Sequence, residues 1–129
     1  NLFAAHYIEM IKGRAYGTGF SNEEKDGAIY ILHKVFSTIL RLLAPITPFI
    51  TDYLWQSLYS DKTIHKERFV ESENNEDLTK FTKEIVEFNS NMWNKKKEMG
   101  LSLKDSIDFQ VPAILEPFAK DLRVMHNLK

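Results

Sequence analysis

The chain has 129 residues, enough for one domain with a real core. Its composition, 43% hydrophobic and 27% charged with nine Phe, five Tyr and two Trp, is that of an ordinary globular protein and not of a disordered or fibrous one. A formal net charge of −1 excludes a global field drawing the chain to nucleic acid or membrane, so any such site must be a local patch. The lack of cysteine excludes a disulfide framework and a thiolate metal site.

No apolar run approaches the ~20 residues of a membrane span, and no secretory signal is visible. A cytoplasmic protein without membrane contact is therefore expected. The opening "NLFAAHYIEMIK" has no initiator Met and is already in helical rhythm, which predicts a segment of a longer polypeptide. Phe3, Tyr7 and Ile11, with Ala4 and Ile8 beside them, have helical spacing. That helix is expected to end near "GRAYGTGFSN", where Gly13, Gly17 and Gly19 signal a loop. The glycine spacing does not match a dinucleotide fingerprint, and no strand precedes it.

Ser21 and Glu24 stand in S-x-x-E spacing, so the serine caps a second helix while the glutamate reaches back. Ile29, Leu32, Phe36, Ile39 and Leu43 then form one core-facing stripe, widened by Tyr30, Val35, Leu40 and Leu42. Pro45 cannot donate a backbone hydrogen bond and biases Ala44 away from helical angles, so this helix stops or kinks near residue 43. Thr47 suits an N-cap and Pro48 a first helical residue. A third helix is predicted there, with Ile46, Phe49, Ile50, Tyr53, Leu54 and Leu58 on its inner face.

Residues 60–77 are polar and irregular, with a short extended piece predicted in "TIHKERFVES". Leu78, Phe81, Ile85, Phe88, Met92 and Met99 mark another long helix, with Gly100 its natural stop. Ile107, Phe109 and Val111 alternate as in a short strand. A final helix is predicted from about Pro117, carrying Phe118, Leu122 and Met125. The expected fold class is all-α, a helical bundle with at most one or two short strands.

No catalytic constellation emerges. His6, His33, His65 and His126 are not spaced as metal ligands on one helix face, so no metal site is expected. Nothing resembles a nucleophile elbow or a phosphate loop. Glu23, Glu24 and Asp26 suit the dipole of a helix start. Three basic groups remain: Lys12 and Arg14 close to Tyr16; Lys62, Lys66 and Arg68 beside His65; and Lys95, Lys96 and Lys97 next to Trp93. Cations near aromatic rings suit phosphate contact with base stacking. Lysines at a helix C-terminus also complement its dipole, and a solvated face is the plainer account.

Four stretches together carry a resemblance. "HYIEMIKGRAY" is similar to the F/W-Y-I/L-E/D-x-x-K-x-R-x-Y helix of class I aminoacyl-tRNA synthetases. "ILHKVFSTILRLLAPITPFITDYLWQSLY" resembles their apolar helix followed by L-L-A-P-x-x-P-F-x-T/S-E/D-x-x-W. "TIHKERFVE" resembles the S-I/V-H-x-x-x-W-P segment, with Phe69 and Val70 where Trp-Pro is usual. "MWNKKKEMGLSLKDSI" resembles I-R-x-x-K-x-x-x-G-L-S-L-N-x-P-L, with Lys104-Asp105-Ser106 replacing the Asn-containing stretch. The G-L-S-L form is most similar to the valyl-tRNA synthetase family, in particular its archaeal type.

The resemblance implies the anticodon-binding helical bundle over residues 1–129, with tRNA, valine-specific, as partner and the catalytic domains of a longer parent chain alongside. It implies that the parent joins valine to tRNA with ATP, while this segment holds no cofactor and performs no catalysis. The H-I-G-H and K-M-S-K-S signatures of the ATP site do not occur in these residues. By resemblance, Lys12, Arg14 and Tyr16 are the first candidates for tRNA contact and Lys95, Lys96 and Lys97 the second, the cations on phosphates and the tyrosine under a base. A monomer is expected. The same module from the isoleucine, leucine or methionine enzyme, and a protein-interaction bundle without an RNA role, remain as alternatives.

Overall fold

The computed structural model describes residues 2–69, 71 and 78–129, without the side chains of Phe3, Leu78 and Thr79. Five α-helices are present among the described residues: α1 (Ile8–Tyr16), α2 (Asn22–Leu43), α3 (Pro48–Leu58), α4 (Thr82–Glu98) and α5 (Ala119–His126). A π-type turn, Phe3–Tyr7, leads into α1, and 3-10 turns lie at Ile64–Lys66, Leu78–Phe81 and Ala113–Phe118. The fold is all-α. The chain divides into two compact units, residues 1–28 with 76–129, and residues 29–75.

In the first unit, α1 runs through Gly13 and stops only after Tyr16. Gly17 takes φ 73°, its N–H bonds Arg14 O at 2.9 Å, and Thr18 N–H bonds Gly13 O at 2.9 Å. This paired closure needs a left-handed residue, which glycine supplies without steric cost. The capping box at α2 forms in both directions: Glu24 N–H donates to Ser21 Oγ at 3.2 Å, and Ser21 N–H donates to Glu24 Oε2 at 2.8 Å. Phe88, Met92, Leu115 and Leu122 make the core, flanked by Met10, Ile85, Phe109, Val111, Phe118 and Leu128. Met125 is half-buried on α5, while Met99, expected inward on α4, is exposed.

The strand expected at residues 107–111 does not form. Ile107 is buried and Phe109 and Val111 are half-buried, so the alternation is real, but among the described residues only one bridge, Ile107 to Leu128, pairs it. Alternation without a neighbouring strand yields an extended segment lying on helices.

In the second unit, α2 ends at Leu43 as the proline demands, and the N–H groups of Ile46 and Thr47 both close onto Leu43 O at 2.9 Å. Thr47 occupies the N-cap of α3, yet its hydroxyl donates back to Leu43 O instead of capping. The core is Leu40, Ala44, Trp55 and Ile64, with Leu54 and Tyr59 against it. Asp52 accepts from Thr63 Oγ1 and Ile64 N–H, both at 2.8 Å, and pins the 3-10 turn under Trp55. Those bonds, the Thr63 hydroxyl first, hold the Asp52 carboxyl below its usual range. The extended piece expected in "TIHKERFVES" is this turn for Ile64–Lys66; residues 70 and 72 lie outside the described residues.

The expected inner face of α3 is corrected. Ile46, Phe49, Ile50, Tyr53 and Leu58 are exposed, and the buried face carries Thr51 and Trp55. Tyr30, Phe36, Leu42 and Leu43 on α2 are exposed as well. Apolar residues cover α3 on more than one side, so spacing alone could not choose the buried one. Thr51 takes an inward place because its hydroxyl donates to Thr47 O at 2.8 Å and needs no outside partner.

Candidate nucleic-acid interface

The end of α1 is held by a knot of charges. Arg14 donates from Nε to Asp121 Oδ1 at 2.6 Å and from Nη2 to Asp121 Oδ2 at 2.8 Å, the two-pronged geometry that a guanidinium and a carboxylate favour. Asp121 is buried at the start of α5. Glu24 lies 3.7 Å from Arg14 Nη1 and accepts both bonds of Lys120, at 2.9 and 2.7 Å. Phe20 sits between the two cations, with Arg14 Cζ 4.8 Å and Lys120 Nζ 4.5 Å from its ring centroid. The hydrogen bond to Asp121 raises the Arg14 pKa further, and that to Lys120 holds Glu24 below its ordinary range.

This geometry separates the three candidates at the α1 end. Arg14 spends its fork on Asp121 and fixes the corner between α1 and α5. Lys12 is exposed and, among the described residues, paired only with Glu9, at 2.5 Å, on its own helix; such surface pairs are worth at most ~1 kcal/mol and yield readily to a stronger anion. Tyr16 is 77% exposed, so its ring is offered to solvent and does not pack in the core.

The three lysines at the end of α4 also divide. Lys95 is exposed, with its ammonium 4.5 Å from the centre of the Phe109 ring, and Lys97 is exposed too. Lys96 is wholly buried, so its expected role as a phosphate contact is corrected. Its ammonium donates to Leu103 O at 2.8 Å and His126 O at 2.7 Å. Burial lowers its pKa, while Asp105 opposes the shift. Neighbouring His126 Nε2 lies 2.8 Å from Asn89 Oδ1, and the Asn89 amide lies 3.3 Å from His6 Nδ1.

In the first unit, Lys96, Asn89, His126 and Asp121 are inward polar residues that sequence reasoning missed. A signal existed for one of them. Phe88, Met92 and Lys96 follow in steps of four, so the apolar stripe of α4 carries Lys96 inward.

Among the described residues no cluster of three His, Asp or Glu is placed to hold a metal, and no helix is long and apolar enough to cross a membrane. Lys62, Lys66 and Arg68 are exposed in the second unit.

Comparison with known proteins is consistent along the chain. Residues 1–111 match the family described as the anticodon-binding domain of tRNA ligase. The valine–tRNA ligase of Pyrobaculum aerophilum is 38% identical over 135 residues, 98% of this chain and 16% of the relative. That of Aeropyrum pernix is 33% identical over 98% of this chain, and that of Nanoarchaeum equitans 37% identical over 100%; each alignment again spans 16% of the relative. The chain thus spans about a sixth of the length of these curated relatives. No solved structure matches it significantly.

Proposed function

We propose a function from one premise: this chain belongs to the family of anticodon-binding domains of tRNA ligases. It grips the anticodon arm of a tRNA and positions that tRNA for a longer polypeptide, whose ATP-dependent chemistry lies outside residues 1–129. The kinship with three valine–tRNA ligases favours a valine-accepting tRNA. The module acts as a monomer in the cytoplasm and holds no cofactor of its own.

One observation carries the assignment of the contact surface. Tyr16 stands exposed at a helix end that is pinned through Arg14 and Asp121, with Lys12 one turn back. A ring on a rigid support loses little freedom when a base stacks on it. Lys12 supplies a phosphate contact, Lys95 and Lys97 add cations at the end of α4, and Arg14 positions the end of α1. Relative to the first expectation, Arg14 therefore moves from direct contact to support.

The test is tRNA binding by this chain over a range of salt. Lys12→Ala should weaken binding and shrink the slope of log affinity against log salt by roughly one. Tyr16→Ala should cost ~1–3 kcal/mol of binding while leaving the slope nearly unchanged. Binding and slope unchanged in both variants would remove the α1 end from the interface. Competition between valine-, isoleucine-, leucine- and methionine-accepting tRNAs tests the specificity.

A further inference from the structure

A depression opens at the C-terminal end of α4, lined by Trp93, Asn94, Lys97, Gly100 and residues 101–103. It mixes an indole, a side-chain amide, a free-standing cation and exposed backbone within one turn of helix and one turn of loop. Trp93 rests against His6 and His126, its ring centroid 5.2 and 6.0 Å from theirs, so the indole is braced. Lys97 has no ion-pair partner among the described residues. Gly100 takes φ 67° with open space where a Cβ would stand, which leaves the backbone approachable.

The loop side of this depression is built with unusual care. Leu101 N–H bonds Lys96 O at 2.8 Å and Gly100 N–H bonds Lys97 O at 3.1 Å, closing α4. Ser102 N–H donates to Asp105 Oδ2 at 2.6 Å, and Asp105 N–H returns to Ser102 O at 3.0 Å. Below them, the Lys96 ammonium ties Leu103 O to His126 O, so one buried cation joins the loop to the end of α5. Among the described residues no carboxylate is in hydrogen-bond reach of this ammonium, which makes it an expensive way to fill an interior position, since well-packed apolar groups serve stability as well or better. What the ammonium adds is a fixed loop.

We propose that this depression takes a single unpaired nucleotide of an RNA loop, and that Lys96 is the positioning residue holding its floor. The base lies against Trp93, the Asn94 amide meets a base edge, and Lys97 meets the phosphate. A flat π face accepts any base, whereas Asn94, with one donor group and one acceptor, adds a preference among bases. The inference rests on the tRNA-binding reading and adds a second contact region to it. Lys96 ties its floor to His126, five residues beyond Asp121 on α5 and so about 7.5 Å along the helix axis from the Arg14–Asp121 knot.

The experiment uses the whole chain labelled with fluorotryptophan, its two Trp signals assigned with Trp93→Phe. The probes are a stem-loop RNA with an unpaired loop and a fully paired duplex of equal length. The stem-loop should shift the Trp93 resonance and the duplex should not. Asn94→Ala with Lys97→Ala should weaken stem-loop binding about tenfold and reduce the salt slope by roughly one. Lys96→Met should weaken binding and abolish the Trp93 shift while keeping the slope, because Lys96 touches no phosphate. If Lys96→Met does not fold, the Asn94 and Lys97 pair carries the test. Stem-loop binding that leaves Trp93 unmoved and the double variant unaffected overturns this site while the tRNA reading stands. Binding of neither RNA by the unaltered chain overturns the tRNA reading itself.

Discussion

Lys95, Lys96 and Lys97 are identical in charge and helix propensity, yet each turns 100° from the last, and only the middle one meets the core. The interior beside α4 is consequently polar: Lys96 satisfies the carbonyls of residues 103 and 126, and His126 and Asn89 bond each other. Such a network resists protonation. Burial, helped by the nearby Lys96 charge, lowers His126 from its ordinary 6.5 to about 4. Between those values the unfolded chain binds a proton that the folded chain refuses. Stability from this group is therefore complete above pH ~6.5 and falls as pH drops towards 4, by on the order of 3 kcal/mol. Urea denaturation from pH 7 to 5 should show the fall, in a window above the loss expected from the lowered carboxyls of Glu24 and Asp52. His126→Gln should flatten it. An equal slope in the variant would assign the effect to another group.

At the scale of elements, α1 packs against α5, and Gly13 permits the approach. A Cβ there would stand 2.6 Å from Val124 Cγ1, and valine is stiff at its first side-chain torsion. Gly13→Ala gains ~1 kcal/mol of helix propensity but forces ~1–3 kcal/mol of overpacking, so net destabilisation is expected. Gly27 in α2 has nothing within 4 Å of its Cβ position and an ordinary helical setting. Gly27→Ala should stabilise by about 0.5–1 kcal/mol. Thermal or urea unfolding of the pair should give opposite signs. Matching signs would mean that Val124 yields to the new methyl. Element ends were the most legible part of the sequence. Ser21 with Glu24, Pro45 before Pro48, and Gly100 each impose a local geometry that no tertiary contact needs to supply. The strand at 107–111 was not legible, because alternation reports burial on one side and not the presence of a partner strand.

For the molecule as a whole, the sequence discloses which helices form but not which apolar faces the protein covers itself. The second unit makes the point. Periodicity marked Phe49 and Tyr53 as inward, yet Phe49 is 91% exposed, and the unit closes instead on Leu40, Ala44, Trp55 and Ile64. An apolar stripe facing a core and one facing solvent have the same spacing, so only three-dimensional packing decides between them. The same limit applied to the candidate site: Lys12, Arg14 and Tyr16 were readable as a group, but the capture of Arg14 by Asp121 joins positions 107 residues apart. The corrected faces make a direct prediction. Phe49→Asp should change stability by no more than about 0.5 kcal/mol, since it exchanges one exposed side chain for another and leaves no buried charge. Trp55→Ala should cost ~3–5 kcal/mol, because it empties the centre of the cluster and removes the ring over which Arg41 lies. Urea denaturation of both variants measures the contrast. A large loss for Phe49→Asp with a small one for Trp55→Ala would restore the face that periodicity first indicated.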